Sequence, residues 1–160
     1  MGGWSNFFTA QVGASASLAG LVFVALSISF GQIIASPHLP NRALEALLHL
    51  CLILGLSSLY LVPGQTPAVQ GIETLVIAAA AWLRVSVLHR QTHQRVEPEN
   101  RHHARINTAL GQVATLSWMA GGVVLLVRGQ AGFYWLLPSY AMSYGLALLQ
   151  AWVLLVEVNR

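Results

Sequence analysis

Two side chains able to move a proton stand one helical turn apart in an otherwise apolar run. These are Glu45 and His49, within a segment that reads Ala43-Leu-Glu-Ala-Leu-Leu-His-Leu-Cys-Leu. A carboxylate and an imidazole four residues apart lie on one helix face. That pairing suits a proton relay or half of a metal site, while the plainer expectation for His49 is a hydrogen-bonded histidine in a polar interior. Two ligands are too few for a metal, so a second chain or element would have to supply the others, and the metal assignment stays open. Three more charged residues fall inside apolar segments: Glu73, Arg84 and Arg128. Charge in such surroundings is costly and marks either a paired clamp or a functional group. By depth, Glu45 is expected to pair with Arg84, and Glu73 with Arg128. Two such pairs near opposite ends would hold a bundle in register or gate it at both faces.

Other polar residues are sparser. Tyr140, Ser143, Tyr144 and Gln150 share the last apolar segment with Pro138, which removes a backbone donor and favours a kink. Tyr140, Tyr144 and Gln150 are expected in a polar interior, either hydrogen-bonding between helices or lining a cavity. His89, His93, His102 and His103 cluster with Arg95, Glu97, Glu99 and Arg101 in a mixed-charge stretch. That stretch reads as a solvated loop. His89 and His93 have the spacing to share a metal if the preceding helix extends. Cys51 is the only cysteine, which excludes an intrachain disulfide and a thiolate cage. No HExxH, GxSxG or Walker A pattern occurs, the chain has no Asp, and no cofactor is expected.

The elements that must position these groups follow from composition. Hydrophobic residues make up 56% of the 160 and charged residues only 8%. A soluble domain carries roughly 25% charged residues. A chain this short has too little interior to hide so much apolar surface. A bilayer can accept it, and a span needs about 20 apolar residues. Five segments qualify: residues 7–34, 42–62, 67–90, 106–127 and 131–156, with a loop at 91–105. Pro37 and Pro40 end the first, Pro63-Gly64 the second, and Thr66-Pro67 opens the third as an N-cap followed by Pro at the first helical position. The expected fold is therefore all-α: a single domain, an integral membrane bundle of five transmembrane helices. Residues 1–10 lack the basic start of a cleaved signal peptide, so the first segment is expected to stay as a helix.

All eight basic residues are Arg. Seven of them (Arg42, Arg84, Arg90, Arg95, Arg101, Arg105 and Arg160) fall on one side of a five-span frame, and only Arg128 on the other. The positive-inside rule then puts the N-terminus outside and the C-terminus in the cytoplasm. The pI of about 9.6 rests on few charges. Without aromatics interleaved in a basic stripe, nucleic acid is not an expected partner.

The first span carries a stripe of small residues spaced alternately four and three: Gly13, Ser17, Gly20, Val24, Ser27 and Gly31. Small residues let membrane helices approach closely. The stripe is expected either to pack, within the bundle or between copies, or to line a narrow pore. A weaker version, Gly111, Thr115, Gly121 and Gly122, occurs in the fourth span.

The opening pattern, Trp4-Ser5-x-Phe7-Phe8, Val12-Gly13-Ala14-Ser15-Ala16 and Leu21 to Ile28, leads to Pro37-x-Leu39-Pro40-x-Arg42-Ala43-x-Glu45-Ala46-Leu47 and Leu61 to Gln65. It resembles a family of small, uncharacterised bacterial multi-span inner-membrane proteins over about the first 75 residues. The resemblance implies a bacterial cytoplasmic membrane and brings no activity.

Three functions remain. The first is a small oligomeric channel or transporter-like pore for ions or small solutes. The second is a non-catalytic accessory or scaffold subunit of a membrane complex. The third is an intramembrane metal- or proton-handling protein. The partners expected are the lipid bilayer, further copies of the chain and a second membrane protein.

Overall fold

The computed structural model describes the backbone at residues 2–35, 39–95 and 101–158, and side chains at 3–35, 39–91 and 105–156. Every long element is a helix. We number them α1 (Gly2–Ile28), α2 (Phe30–Ala35), α3 (Leu39–Tyr60), α4 (Pro67–Arg95), α5 (Arg101–Arg128) and α6 (Phe133–Val158), with a 3-10 turn at Gly129–Gly132. No strand occurs among the described residues.

The first expected span is α1 and α2 together. They meet at Ser29, whose N–H still donates to the Ala25 carbonyl at 3.2 Å and whose carbonyl accepts from Ile33 at 3.0 Å. The hydrogen-bond path therefore runs on past a one-residue irregularity. The helix α3 begins at Leu39 with Pro40 in its first turn, where a missing N–H is harmless. At the start of α4, Thr66 Oγ1 accepts from the Val69 N–H at 3.4 Å, and Pro67 is the first helical residue, as expected. The helix α6 continues through Pro138.

Segments Gly3–Ile28, Leu39–Tyr60 and Pro67–Gln91 are each long and apolar enough to cross a membrane, as is the apolar stretch Arg105–Val156. The last covers 52 residues, which as one rod would be about 78 Å long, more than twice a hydrocarbon core. The turn at Gly129–Gly132 folds it into α5 and α6. Gly129 sits at φ +61, in the left-handed region that favours glycine. Phe23, Ile28, Val76, Leu83, Val127 and Trp152 are each more than half exposed. An apolar coat of that extent is what lipid covers and water does not tolerate.

The end of α2, the start of α3, the end of α4 and the start of α5 share one end of the bundle, called here the loop end. The α3/α4 and α5/α6 turns share the other, the turn end. At the turn end Trp4, Phe8, Tyr60, Phe133 and Tyr134 pack together, mostly tilted or edge to face, with ring centroids 4.9–5.9 Å apart. Trp118 and Tyr140 continue that core toward the middle, at 4.7 Å. At the loop end Ile33, Leu39, Ala43 and Leu154 form a smaller cluster.

The closest helix crossing joins α4 to α5. A Cβ at Gly71 would lie 3.0 Å from the Gly122 carbonyl oxygen, and one at Gly122 would lie 3.2 Å from that of Gly71. The weaker small-residue pattern of the fourth span is thus the one that brings two backbones together. The stripe of the first span does not pack within the bundle. Gly13, Ser17, Gly20, Ser27 and Gly31 are all exposed, and a Cβ at Gly13, Gly20 or Gly31 would meet nothing within 4 Å. The inward seam of α1 is instead Phe8, Ser15 and Val22, spaced by seven, with Ile33 of α2 beyond. The hydroxyls of Ser17 and Ser27 turn back onto the carbonyls of Gly13 and Phe23, which satisfies them without a partner helix.

Candidate functional site

Four helices bring polar side chains together inside the loop-end half of the bundle. Glu45 comes from α3, His89 from α4, Asn107 from α5 and Gln150 from α6. His89 Nε2 and Glu45 Oε1 are 3.0 Å apart, both side chains almost wholly buried. The other carboxylate oxygen accepts from Gln150 Nε2 at 3.0 Å and from Asn107 Nδ2 at 3.3 Å. Gln150 Nε2 also donates to Asn107 Oδ1 at 2.7 Å, and Gln150 Oε1 accepts from Arg42 Nη1 at 3.4 Å. Every polar atom of the Gln150 amide is therefore used, which answers the cost of an amide at this depth.

Gly111 makes room for the cluster. A Cβ there would stand 2.7 Å from Glu45 Oε1 and 2.7 Å from His89 Cε1. The pair is seated against bare α5 backbone.

His49 lies one turn deeper than Glu45 and is 1% exposed. Neither ring nitrogen has a hydrogen-bond partner, and His89 Nδ1 has none either. An imidazole always presents at least one donor, so an unpartnered buried ring is a standing cost of about 1–3 kcal/mol per unsatisfied group.

Two expected ion pairs are replaced. Glu45 engages His89, not Arg84, and Arg84 is exposed. The reason is geometry. The helix α4 runs on to Arg95, so His89 is a helical residue facing α3 rather than a loop residue. Arg84 lies five residues earlier, on a different face. Glu73 accepts from Gln65 Nε2 at 3.0 and 3.1 Å, while Arg128 is exposed at the end of α5. Gln65, in the turn that ends α3, reaches Glu73 because both stand at the start of α4. The sequence reading groups His89 with the loop histidines although span 67–90 contains it, and it gives Asn107 no role. The signal for both was the spacing of polar residues down α4 and α5, read from the loop end inward.

The register of α3 against α4 confirms the arrangement internally. Tyr60 Oη and Thr74 Oγ1 meet at 2.6 Å. Glu45 and Tyr60 are fifteen residues apart, as are Thr74 and His89. The two antiparallel helices thus carry matched polar contacts about 22 Å apart. Between them, Trp118 Nε1 donates to Ser143 Oγ at 2.8 Å, and Ser57 and Tyr140 hydroxyls meet at 2.8 Å. Tyr140, expected in a polar interior, is there, and Tyr144 Oη donates to the Gln11 carbonyl at 3.3 Å.

No group of three or more His, Cys, Asp or Glu residues able to hold a metal occurs among the described residues. The side chains of His93, His102 and His103, and the stretch at 96–100, lie outside the described residues. An apolar groove of about 220 Å³ separates α1 from α6, lined by Leu18, Val22, Ile33, Leu148 and Leu154 among others. It carries almost no polar group and suits a hydrocarbon chain.

The arrangement can hold a proton between a carboxyl and an imidazole, fix the carboxyl with two amides, and shield both from water. The chain matches no protein-family model, no curated protein and no solved structure.

Proposed function

We propose that this chain is a multi-pass membrane protein that handles protons at a buried Glu–His centre, in a transporter-like role. The observation that carries the reading is the Glu45–His89 pair at 3.0 Å, held by Asn107 and Gln150 inside four helices. A carboxyl and an imidazole can pass a proton between them, which a carboxylate clamped by a guanidinium cannot do. The Arg asymmetry supports an orientation with the N-terminus outside and the loop end in the cytoplasm. The centre then sits toward the cytoplasm, and the resemblance of the first 75 residues favours a bacterial inner membrane.

The test is proton movement in proteoliposomes with a trapped pH dye, under an imposed pH gradient or membrane potential. Wild-type vesicles should equilibrate faster than empty ones, and Glu45→Gln should remove the difference. Equal rates for wild type, Glu45→Gln and empty vesicles would sink the proposal.

A second reading is an oligomeric pore or a membrane-protein partner built on α1. The outward placement of Gly13, Ser17, Gly20, Ser27 and Gly31 favours it, because this close-packing face is left unused by the protomer. Native mass measurement in lipid nanodiscs decides it: a closed homo-oligomer that Gly20→Leu dissociates supports it, and a monomer removes it.

A further inference from the structure

We infer that His49 is a second proton station, and that Glu45 serves it in alternation with His89. This rests on reading the Glu45–His89 pair as a proton-handling centre.

The argument starts from one helix. Glu45 and His49 are four residues apart on α3, so their Cβ atoms lie about 5–6 Å from one another on one face. A carboxyl on a two-carbon arm can cover that gap by rotating its own torsions, with the backbone unmoved. In the structure Glu45 Oε1 is turned to His89. His49 meanwhile is fully buried with both ring nitrogens unpartnered. One carboxyl therefore stands between two imidazoles, with a bond to one and the other left wanting.

The two histidines differ in position. His89 is followed directly by exposed Arg90 and Gln91 at the loop end. His49 lies about 6 Å further into the bundle than Glu45. A carboxyl that swings from one ring to the other carries a proton inward by that distance. In the step, the O–H bond of the Glu45 carboxylic acid breaks as an N–H bond forms on His49. A carboxylate and an imidazolium result, adjacent and of opposite charge. The reverse step returns the proton to Glu45 and then to His89. No other reactant enters.

The surroundings permit this exchange and add no rival acceptor. Among the described residues, the titratable and charged groups around this stretch are Glu45, Arg42 and the exposed Cys51 on its own helix, His89 on α4, and on α6 Tyr144, which packs with Leu50 and already gives its hydroxyl to the Gln11 carbonyl. Around the same carboxyl α5 and α6 supply only the amides of Asn107 and Gln150. Those amides hold Oε2, so Oε1 is the atom free to change partner.

The experiment is nitrogen NMR of the whole protein in lipid nanodiscs, labelled at histidine, as a function of pH. Wild type, Glu45→Gln and His89→Asn are compared, and a His49→Gln sample assigns the signals. The expected result is that His49 passes from a neutral to an imidazolium pattern in wild type, and that Glu45→Gln shifts or abolishes this change. In His89→Asn, with the competing ring gone, His49 should show a hydrogen-bonded nitrogen at every pH. A His49 spectrum that stays neutral and unchanged in all samples, while His89 titrates, overturns the inference and leaves the Glu45–His89 centre standing. A flat response from both rings overturns the centre as well. Sequential backbone assignment of the wild type identifies the His49 signal independently, so a variant that fails to fold does not blunt the test.

Discussion

Replacing Gly111 with Ala probes the centre without touching any of its polar groups. In an open helical position the change is favourable, because Ala exceeds Gly in helix propensity by about 0.8–1.0 kcal/mol. At Gly111 the added methyl would stand 2.7 Å from Glu45 Oε1, 2.7 Å from His89 Cε1 and 3.2 Å from His89 Nε2. Ordinary contact begins near 3.4 Å, so the pair must retreat by several tenths of an ångström. Both groups are ends of side chains, yet each is held: Glu45 by three donors and His89 by burial in α4. Overpacking of this kind costs about 1–3 kcal/mol. Loosening the charge-assisted contact adds roughly 1.5–3 kcal/mol if the bond is lost outright. Against the helix gain, the net expectation is a destabilisation of about 0–2 kcal/mol if the bond survives and about 1.5–5 kcal/mol if it is lost. The control is Gly145→Ala, where a methyl meets nothing within 4 Å. It should be neutral or stabilising by up to about 1 kcal/mol. Reversible unfolding in mixed micelles, followed by loss of helical circular dichroism, measures both. If Gly111→Ala proves as stable as Gly145→Ala, the close seating of Glu45 and His89 on α5 is refuted.

Four further outcomes are expected. Glu45→Leu strands His89, Asn107 and Gln150 and should cost more than Arg84→Gln, which leaves a residue exposed at the helix surface nearly neutral in the same assay. Gly122→Leu should disrupt the α4–α5 crossing by several kcal/mol, since the Gly71 carbonyl lies in its path. Tyr140→Phe removes the hydroxyl that meets Ser57 and should cost about 0.6–1.7 kcal/mol, the usual worth of an interhelical hydrogen bond in lipid. Gly20→Leu should leave protomer stability unchanged, since nothing lies within 4 Å, and any effect should appear only in oligomer mass.

Composition and punctuation made the helices legible. Five apolar stretches, bounded by Pro63-Gly64, Thr66-Pro67 and Arg128-Gly129-Gln130, correspond to the long helices, with α4 extended to Arg95 and α1 begun at Gly2. Glu45 was legible as the residue to follow, because an acid in an apolar run needs a partner. Its partner was not. Depth along a helix is a one-dimensional coordinate, and Arg84 and His89 both fit it within two turns. Only the rotation of α4 about its axis separates them, and that rotation is set by Val85, Leu88 and His89 turning inward as buried residues. Span 67–90 already contained His89, but grouping it with His93, His102 and His103 in the mixed-charge stretch drew it away from the interior.

The stripe on α1 shows where a pattern of residue size stops being informative. Small residues at alternate spacings of four and three permit close approach, but permission is symmetric: the same face packs well or faces lipid at little cost. What decides is the opposite face. On α1 that face carries Phe8, Ser15 and Val22, and the large side chain of Phe8 inserts into the aromatic core at 4.9 Å from Tyr60. Burying such groups gains about 1.5–3 kcal/mol each in water-to-apolar terms. In lipid that gain shrinks, and packing contacts take over as the main drive. The aromatic seam supplies those contacts, so α1 turns it inward and leaves its glycines out. On α5 the order is reversed. Gly111, Gly121 and Gly122 are buried because the groups they face, Glu45 with His89, Leu136, and the α4 backbone at Gly71, need the space. A small residue therefore marks a site when something large or polar stands opposite it. By that rule the polar centre of this bundle belongs to α3 through α6.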